Sequence, residues 1–264
     1  MLMEVKNQIK IIALSVKYNI MRQMTNKVTF ITNILFMILN NASFIIQWII
    51  LFSIRDEIGG YTIKEVILLW GMAASTFGIS HIIFYKAFEM PDLIINGKLD
   101  TFLVQPKNVL LSVISSETSI SAIGDLIYGY ICLFIYGITL ENFILFTIFS
   151  ITGAIILTAF VCIVGSLSFW IVKADIIADS ITNIMISLDT YPGTIFKGIV
   201  KVLLFTILPV GLSNYLPIET IINFNILNLI IIIVFTIAIS VLAFYIFNKG
   251  LKRYSSSNLM SSRI

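Results

Sequence analysis

Few residues in this chain are equipped for chemistry, and those few sit in apolar surroundings. There is a single histidine, His81, so no paired-histidine motif such as H-E-x-x-H can be built, and no Ser/His/Asp triad can be assembled around it. The two cysteines, Cys132 and Cys162, lie singly inside apolar runs, a spacing that suits neither a disulfide framework nor zinc ligation. The only Gly-Lys pair, Gly97-Lys98, is followed by Leu99 and lacks the upstream glycine of a phosphate-binding G-x-x-x-x-G-K-[ST] loop. No catalytic centre and no cofactor are therefore expected on this chain. Acids placed among apolar residues are the exception. Asp125 falls in the middle of an apolar run, Glu117 near its start, and Asp179 and Asp189 flank another. An Asp at the centre of a bilayer costs about 2.5–3.5 kcal/mol on insertion scales. Asp125 is expected either to line a polar path or to hydrogen-bond to a neighbouring helix. Asn33, Asn40, Asn41, Ser43 and Gln47 crowd the first apolar run, and such side chains normally face other helices or water.

The elements that must position these residues follow from composition. Of 264 residues, 58% are hydrophobic and 12% charged, about half the charged share of a soluble domain. Mean hydropathy is +1.01. Too little polar surface remains to cover a water-soluble core, which excludes a soluble enzyme and a disordered chain. A net charge of +3 spread over such a chain is a weak footprint for nucleic acid, and no nucleic-acid partner is expected. Apolar runs long enough to cross a bilayer as helices occur at 28–54, 65–85, 117–139, 143–172 and 226–248. The stretch 175–222 holds two further apolar segments, the second broken by Pro209 and Pro217.

Charge arbitrates the count. Lys6, Lys10, Lys17, Arg22 and Lys27 precede the first run, and Lys249, Lys252, Arg253 and Arg263 follow the last. Both ends are basic, so both are expected in the cytoplasm, which requires an even number of spans: six. Lys86, Lys98 and Lys107 put the 86–108 loop on the same side, whereas 139–142 and 210–225 carry no Lys or Arg. The opening stretch reads as a helix lying in the interface over 4–26 rather than as a secretory signal. Val5, Ile9, Ile12, Val16, Ile20 and Met24 recur at helical spacing, with the basic residues mostly opposite.

The longest cytoplasmic loop, KAFEMPDLIINGKLDTFLVQPKN over 86–108, is too apolar for a free loop and demands a partner surface. Its Gly97, Leu99, Leu103 and Pro106 resemble the cytoplasmic signature of ABC-2-type permeases, which lies between the second and third spans in the region that docks on an ATPase. Three further stretches are similar to the same family: Tyr191-Pro192 with Ile207, Pro209 and Tyr215-Leu216-Pro217; the tail Gly250-Leu251-Lys252-Arg253-Tyr254-Ser255; and the basic N-terminal helix.

The resemblance implies an all-α membrane protein with six transmembrane helices, an interfacial amphipathic helix and a cytoplasmic coupling helix between spans two and three. It puts the fifth span at 176–191 and makes 197–222 a re-entrant external segment. It also implies a permease subunit of an ATP-driven exporter in a bacterial plasma membrane, moving a hydrophobic or amphipathic substrate. Two ATPase subunits would carry the ATP and magnesium, and a second permease copy or paralogue would complete the pathway. Leu93, Leu99, Phe102 and Leu103 are then the expected apolar contacts to the ATPase, Lys98 and Asp100 the polar ones, with Gly97 and Pro106 shaping the loop. Phe36, Asn40, Asn41, Gln47 and Asp125 are the expected substrate-path residues. The rival readings are an ion-coupled carrier using Asp125 or Glu117 and a non-transporting immunity or sensor partner.

Overall fold

The computed structural model describes residues 2–171 and 174–255. Val172 at the end of the fourth expected span, Arg263 of the basic tail and the side chain of Val5 lie outside what it describes. Among the described residues the regular structure is helical. Four helices are long and apolar enough to cross a membrane, and a fifth crossing results if one bent pair is counted as a single span.

Helix α1 (Leu2–Gln23) leads into α2 (Lys27–Phe52) through a turn in which Asn26 caps the new helix, its side chain accepting the Thr29 N–H at 3.2 Å. The 26 residues of α2 rise about 39 Å, enough for the roughly 30 Å hydrocarbon layer. Helix α3 (Ile63–Phe84) opens on a Thr62/Glu65 capping pair, with Thr62 N–H donating to Glu65 Oε2 at 2.7 Å.

A stretch of short helices follows, made of α4 (Met90–Ile95), α5 (Asp100–Leu103) and α6 (Val109–Ile114). Then come α7 (Ser121–Tyr136), α8 (Leu140–Gly165), which runs on in a 3-10 turn to Phe169, and α9 (Ala174–Leu188). Helix α10 (Gly198–Thr206) meets a π-helical turn (Gly211–Tyr215) continuing into α11 (Leu216–Ile222), and α12 (Ile226–Leu251) closes the chain. The segments Gly198–Thr206 and Gly211–Ile222 form the bent pair, at 78°. Pro209 lies at the bend, where a helix loses a donor and gains a clash.

Small residues set the central packing. Gly71 and Gly78 of α3 face α7. A Cβ at Gly78 would stand 2.8 Å from the Leu126 nitrogen and 2.9 Å from the Ala122 carbonyl oxygen; at Gly71 it would meet the Cys132 side chain at 2.5 Å. Gly124 of α7 does the same toward α2, where a Cβ would lie 2.5 Å from the Ile34 carbonyl oxygen. Backbones that approach this closely are the means by which helices associate in lipid, where apolar burial gives little. Helices α3 and α8 form the buried centre. Helix α2 instead leaves its apolar flank uncovered, with Val28, Phe36, Leu39 and Ile50 all exposed.

Two helices are shorter than the runs that suggested them. The expected 117–139 span condenses to the 16 residues of α7, about 24 Å of rise. Residues 115–119 are engaged in side-chain and backbone bonds before it begins, and Gly137, at φ 140°, ends it. The expected 176–191 span becomes the 15 residues of α9.

Candidate functional site

Polar residues scattered through the sequence converge on one cavity. Its volume is about 470 Å³, and it lies among α2, α3, α7, α9 and the π-helical turn. Asn40, Asn41 and Gln47 line it from α2, Asp125 from α7, and Asp189 from the residue just past α9. Asn41 Nδ2 donates to Asp125 Oδ1 at 2.6 Å. The second oxygen, Oδ2, is buried without a hydrogen-bond partner. Four of the five expected path residues therefore meet here. Phe36 does not; its ring is 65% exposed on the outer flank of α2. Phe44 and Trp70 form an aromatic wall, stacked at 5.4 Å between ring centroids.

Asp189 is the residue that sequence reasoning noticed but did not place in the path. It sits where the π-helical turn pins the end of α9. Asn214 Nδ2 donates to the Asp189 backbone oxygen at 2.6 Å, and the Tyr215 hydroxyl donates to the Leu188 carbonyl at 2.6 Å. The whole turn is buried, and π-helical turns recur where a helix is adapted to a function. The signal in the sequence was an acid followed by Tyr191-Pro192, but its orientation depends on a turn more than 20 residues away.

A second cavity of about 210 Å³ shares the Phe77 and Ile186 side chains with the first and is lined by His81, Asp179 and Asn183. His81, the single histidine, is not turned to solvent. It is buried between Phe77 and Phe88, at 3.7 and 3.9 Å between centroids. Glu117 is not a lone acid: Lys86 bridges it at 3.0 Å and Glu89 at 2.6 Å. Partial burial works against the Lys86 ammonium, but hydrogen bonds and charge from the two glutamates outweigh it and hold the group above its ordinary range.

The 86–108 loop differs from the expectation of an outward apolar helix. Leu93 and Leu99, expected as outward contacts, are buried within the chain's own core, as are Met90 and Ile94. The reason is that α4 folds back against the 3-10 turn after α8, where Gly165 lets Met90 and Pro91 approach. Gly97, at φ 65°, makes the left-handed turn that ends α4, with Lys98 N–H reaching the Leu93 carbonyl at 2.9 Å. Phe102 is half-buried. Lys98, Leu103, Val104 and Pro106 are exposed, and Lys98 pairs with Asp92 at 2.7 Å.

Two stretches that carried the resemblance touch each other. Tyr254, in the tail after α12, accepts the Leu99 N–H at 3.1 Å on its hydroxyl. Burial and then the Asp100 carboxylate push that phenol up to about 12. Gly250 makes room for the Phe169 ring, which also meets Phe247 and Tyr254 edge-on. The loop is therefore tied to the ends of both α8 and α12.

Helix α1 carries a feature that its apolar periodicity hid. Ser15, Asn19 and Gln23, spaced by four, donate to the carbonyls of Ser115, Ser116 and Thr118 at 2.7, 2.9 and 3.0 Å. This polar stripe binds the turn that opens α7. Lys6, Lys10, Lys17 and Arg22 stay exposed, together with Ile9, Tyr18 and Met21.

No curated protein and no solved structure matches this chain. A family model described as ABC-2 family transporter protein matches residues 16–258, a span that takes in both cavities, the 86–108 loop and all of α12. With its array of apolar helices, the chain is a multi-pass membrane protein belonging to the ABC-2 transporter family.

Proposed function

We propose that this protein is the permease subunit of an ATP-driven exporter, forming one half of a transmembrane pathway for a hydrophobic or amphipathic substrate. The observation that carries the reading is the central cavity, polar at Asn40, Asn41, Gln47 and the two aspartates and aromatic at Phe44 and Trp70. Six crossings in a bacterial plasma membrane place both termini in the cytoplasm. The crossings are α2, α3, α7, α8, α9 and α12, with α10 and α11 re-entrant from outside; their 78° bend supports this. The uncovered flank of α2 is where a second permease, a copy or a paralogue, completes the pathway.

Hydrolysis belongs to a separate pair of ATPase subunits, which hold the ATP and magnesium. They dock on the exposed side of the loop, at Lys98, Leu103, Val104 and Pro106. Leu93, Leu99 and Phe102 act from behind as the packing that stiffens this surface. Closure of the ATPase pair pushes on the loop. The push passes through Tyr254 to α12, through Met90 and Pro91 to α8, and through α1 to the start of α7 as rigid-body shifts. The test is co-purification. Val104→Arg and Leu103→Arg should lose the ATPase while the permease stays monodisperse, and undiminished ATPase recovery would sink the docking claim. The second reading, an ion-coupled carrier, is favoured by the unpartnered Asp125 oxygen. It predicts transport in vesicles that contain no ATPase.

A further inference from the structure

The central cavity is acidic in its lining. Its lining holds Asp125 and Asp189 and no Lys, Arg or His. Both acids are removed from solvent, with residue exposures of 4% and 8%. The ion pairs formed by Lys86 and Lys98 involve neither. Three polar atoms on the lining residues, Asp125 Oδ2, Trp70 Nε1 and Thr76 Oγ1, are buried without a hydrogen-bond partner. Leaving buried polar groups unmet is costly, and native proteins seldom do so without a reason. Of the three, Asp125 Oδ2 is the acidic one, and a carboxylate oxygen left without a partner beside an open volume suits a positive charge that arrives with a ligand.

The walls narrow the choice of ligand. The stacked Phe44 and Trp70 rings offer flat apolar faces, and such faces attract cations. Met37 and Met185 add adaptable apolar surface. The volume falls in the range of small-molecule sites, roughly 300–1,000 Å³, and is far too large for a bare metal ion. Among the described residues no group of three or more His, Cys, Asp or Glu side chains is placed to hold one. An anionic amphiphile would find no basic side chain among the described lining residues. The smaller cavity, which shares Phe77 and Ile186, is lined by a third acid, Asp179, together with His81.

We propose that the cargo is a hydrophobic organic cation, held in the central cavity with Asp125 as its counter-ion and the Phe44–Trp70 pair as its aromatic wall. This rests on the permease reading above and assigns its substrate class.

The test is equilibrium binding of tetraphenylphosphonium to the purified full-length chain in mild detergent. Tetraphenylborate, of the same shape and opposite charge, is the comparator. The wild type should bind the cation saturably and the anion at least tenfold more weakly. Asp125→Asn should weaken cation binding about tenfold or more, the order expected when a buried counter-ion is removed, and Asp125→Glu should restore it. Phe44→Ala, at a position 43% exposed, should also weaken binding and stands in if Asp125→Asn fails to fold. Equal binding of the two ions, or an undiminished affinity in a monodisperse Asp125→Asn or Phe44→Ala protein, would overturn the proposal. The assay contains no ATPase. A chain that recruits its ATPase but ignores the cation refutes only the substrate class. A chain that binds the cation but recruits no ATPase refutes only the exporter reading.

Discussion

Gly78→Ala tests the seam on which the cavity depends. The added methyl would point at the α7 backbone, 2.8 Å from the Leu126 nitrogen and 2.9 Å from the Ala122 carbonyl oxygen. Ordinary contact begins near 3.4 Å, so α3 and α7 must part by about half an ångström, and backbone atoms cannot rotate aside as a side-chain tip would. Overpacking of this kind costs about 1–3 kcal/mol. Replacing a mid-helix glycine by alanine returns up to about 1 kcal/mol of helix propensity. Taking the middle of the overpacking range, about 2 kcal/mol, less about 1 kcal/mol of propensity leaves a net loss of about 1 kcal/mol, which at roughly 2–4 °C per kcal/mol for a chain of this size lowers the melting midpoint by about 2–4 °C. Cys132 and Cys162 are free and buried, so a thiol-reactive fluorophore reports unfolding directly in detergent. A midpoint equal to or above that of the wild type would refute the close approach of α3 and α7.

Three other outcomes are expected. Tyr254→Phe removes the acceptor for the Leu99 N–H and the partner of Asp100, a loss of about 0.5–1.5 kcal/mol for each bond; faster hydrogen exchange at the Leu99 amide should reveal it, with α3 unaffected. Leu99→Arg and Val104→Arg should part company: Leu99 is wholly buried and Val104 is 84% exposed, so the first should aggregate on size exclusion while the second elutes as the wild type. Replacing Ser15, Asn19 and Gln23 together by alanine removes three bonds to the 115–118 turn; trypsin should then cut at Lys17 and Arg22 several-fold faster, and an unchanged digestion rate would mean that α1 is held by its apolar contacts alone.

Several features of this chain were readable without coordinates because they are one-dimensional. The long runs that became α2, α3, α8 and α12 were legible because a bilayer demands length and apolarity and little else. Gly71 and Gly78 stand seven residues apart, a spacing that by itself puts both on one side of a helix. The loop illustrates the limit. Its apolar residues were correctly seen as needing cover, but Leu93 and Leu99 take that cover from the chain itself, through α8 and α12, more than 60 residues away. Pattern alone cannot distinguish an apolar face turned outward to a partner from one folded back, because both satisfy the same hydrophobic demand. The stripe of Ser15, Asn19 and Gln23 escaped notice because its partners are backbone carbonyls, which have no signature in the residue string.

What the sequence by itself determined is the solvent and the scaffold: a membrane chain of apolar helices whose scarce charges gather mainly at its ends and in one loop. Only the tertiary structure decided which polar residues share a cavity. Asn41 and Asp125 are 84 positions apart, and Asp189 is aimed by a turn beyond α10. Their meeting depends on glycines that let α2, α3 and α7 approach to backbone contact. Hydropathy measures how each residue is transferred from water, whereas a binding site depends on which transferred residues end up facing one another.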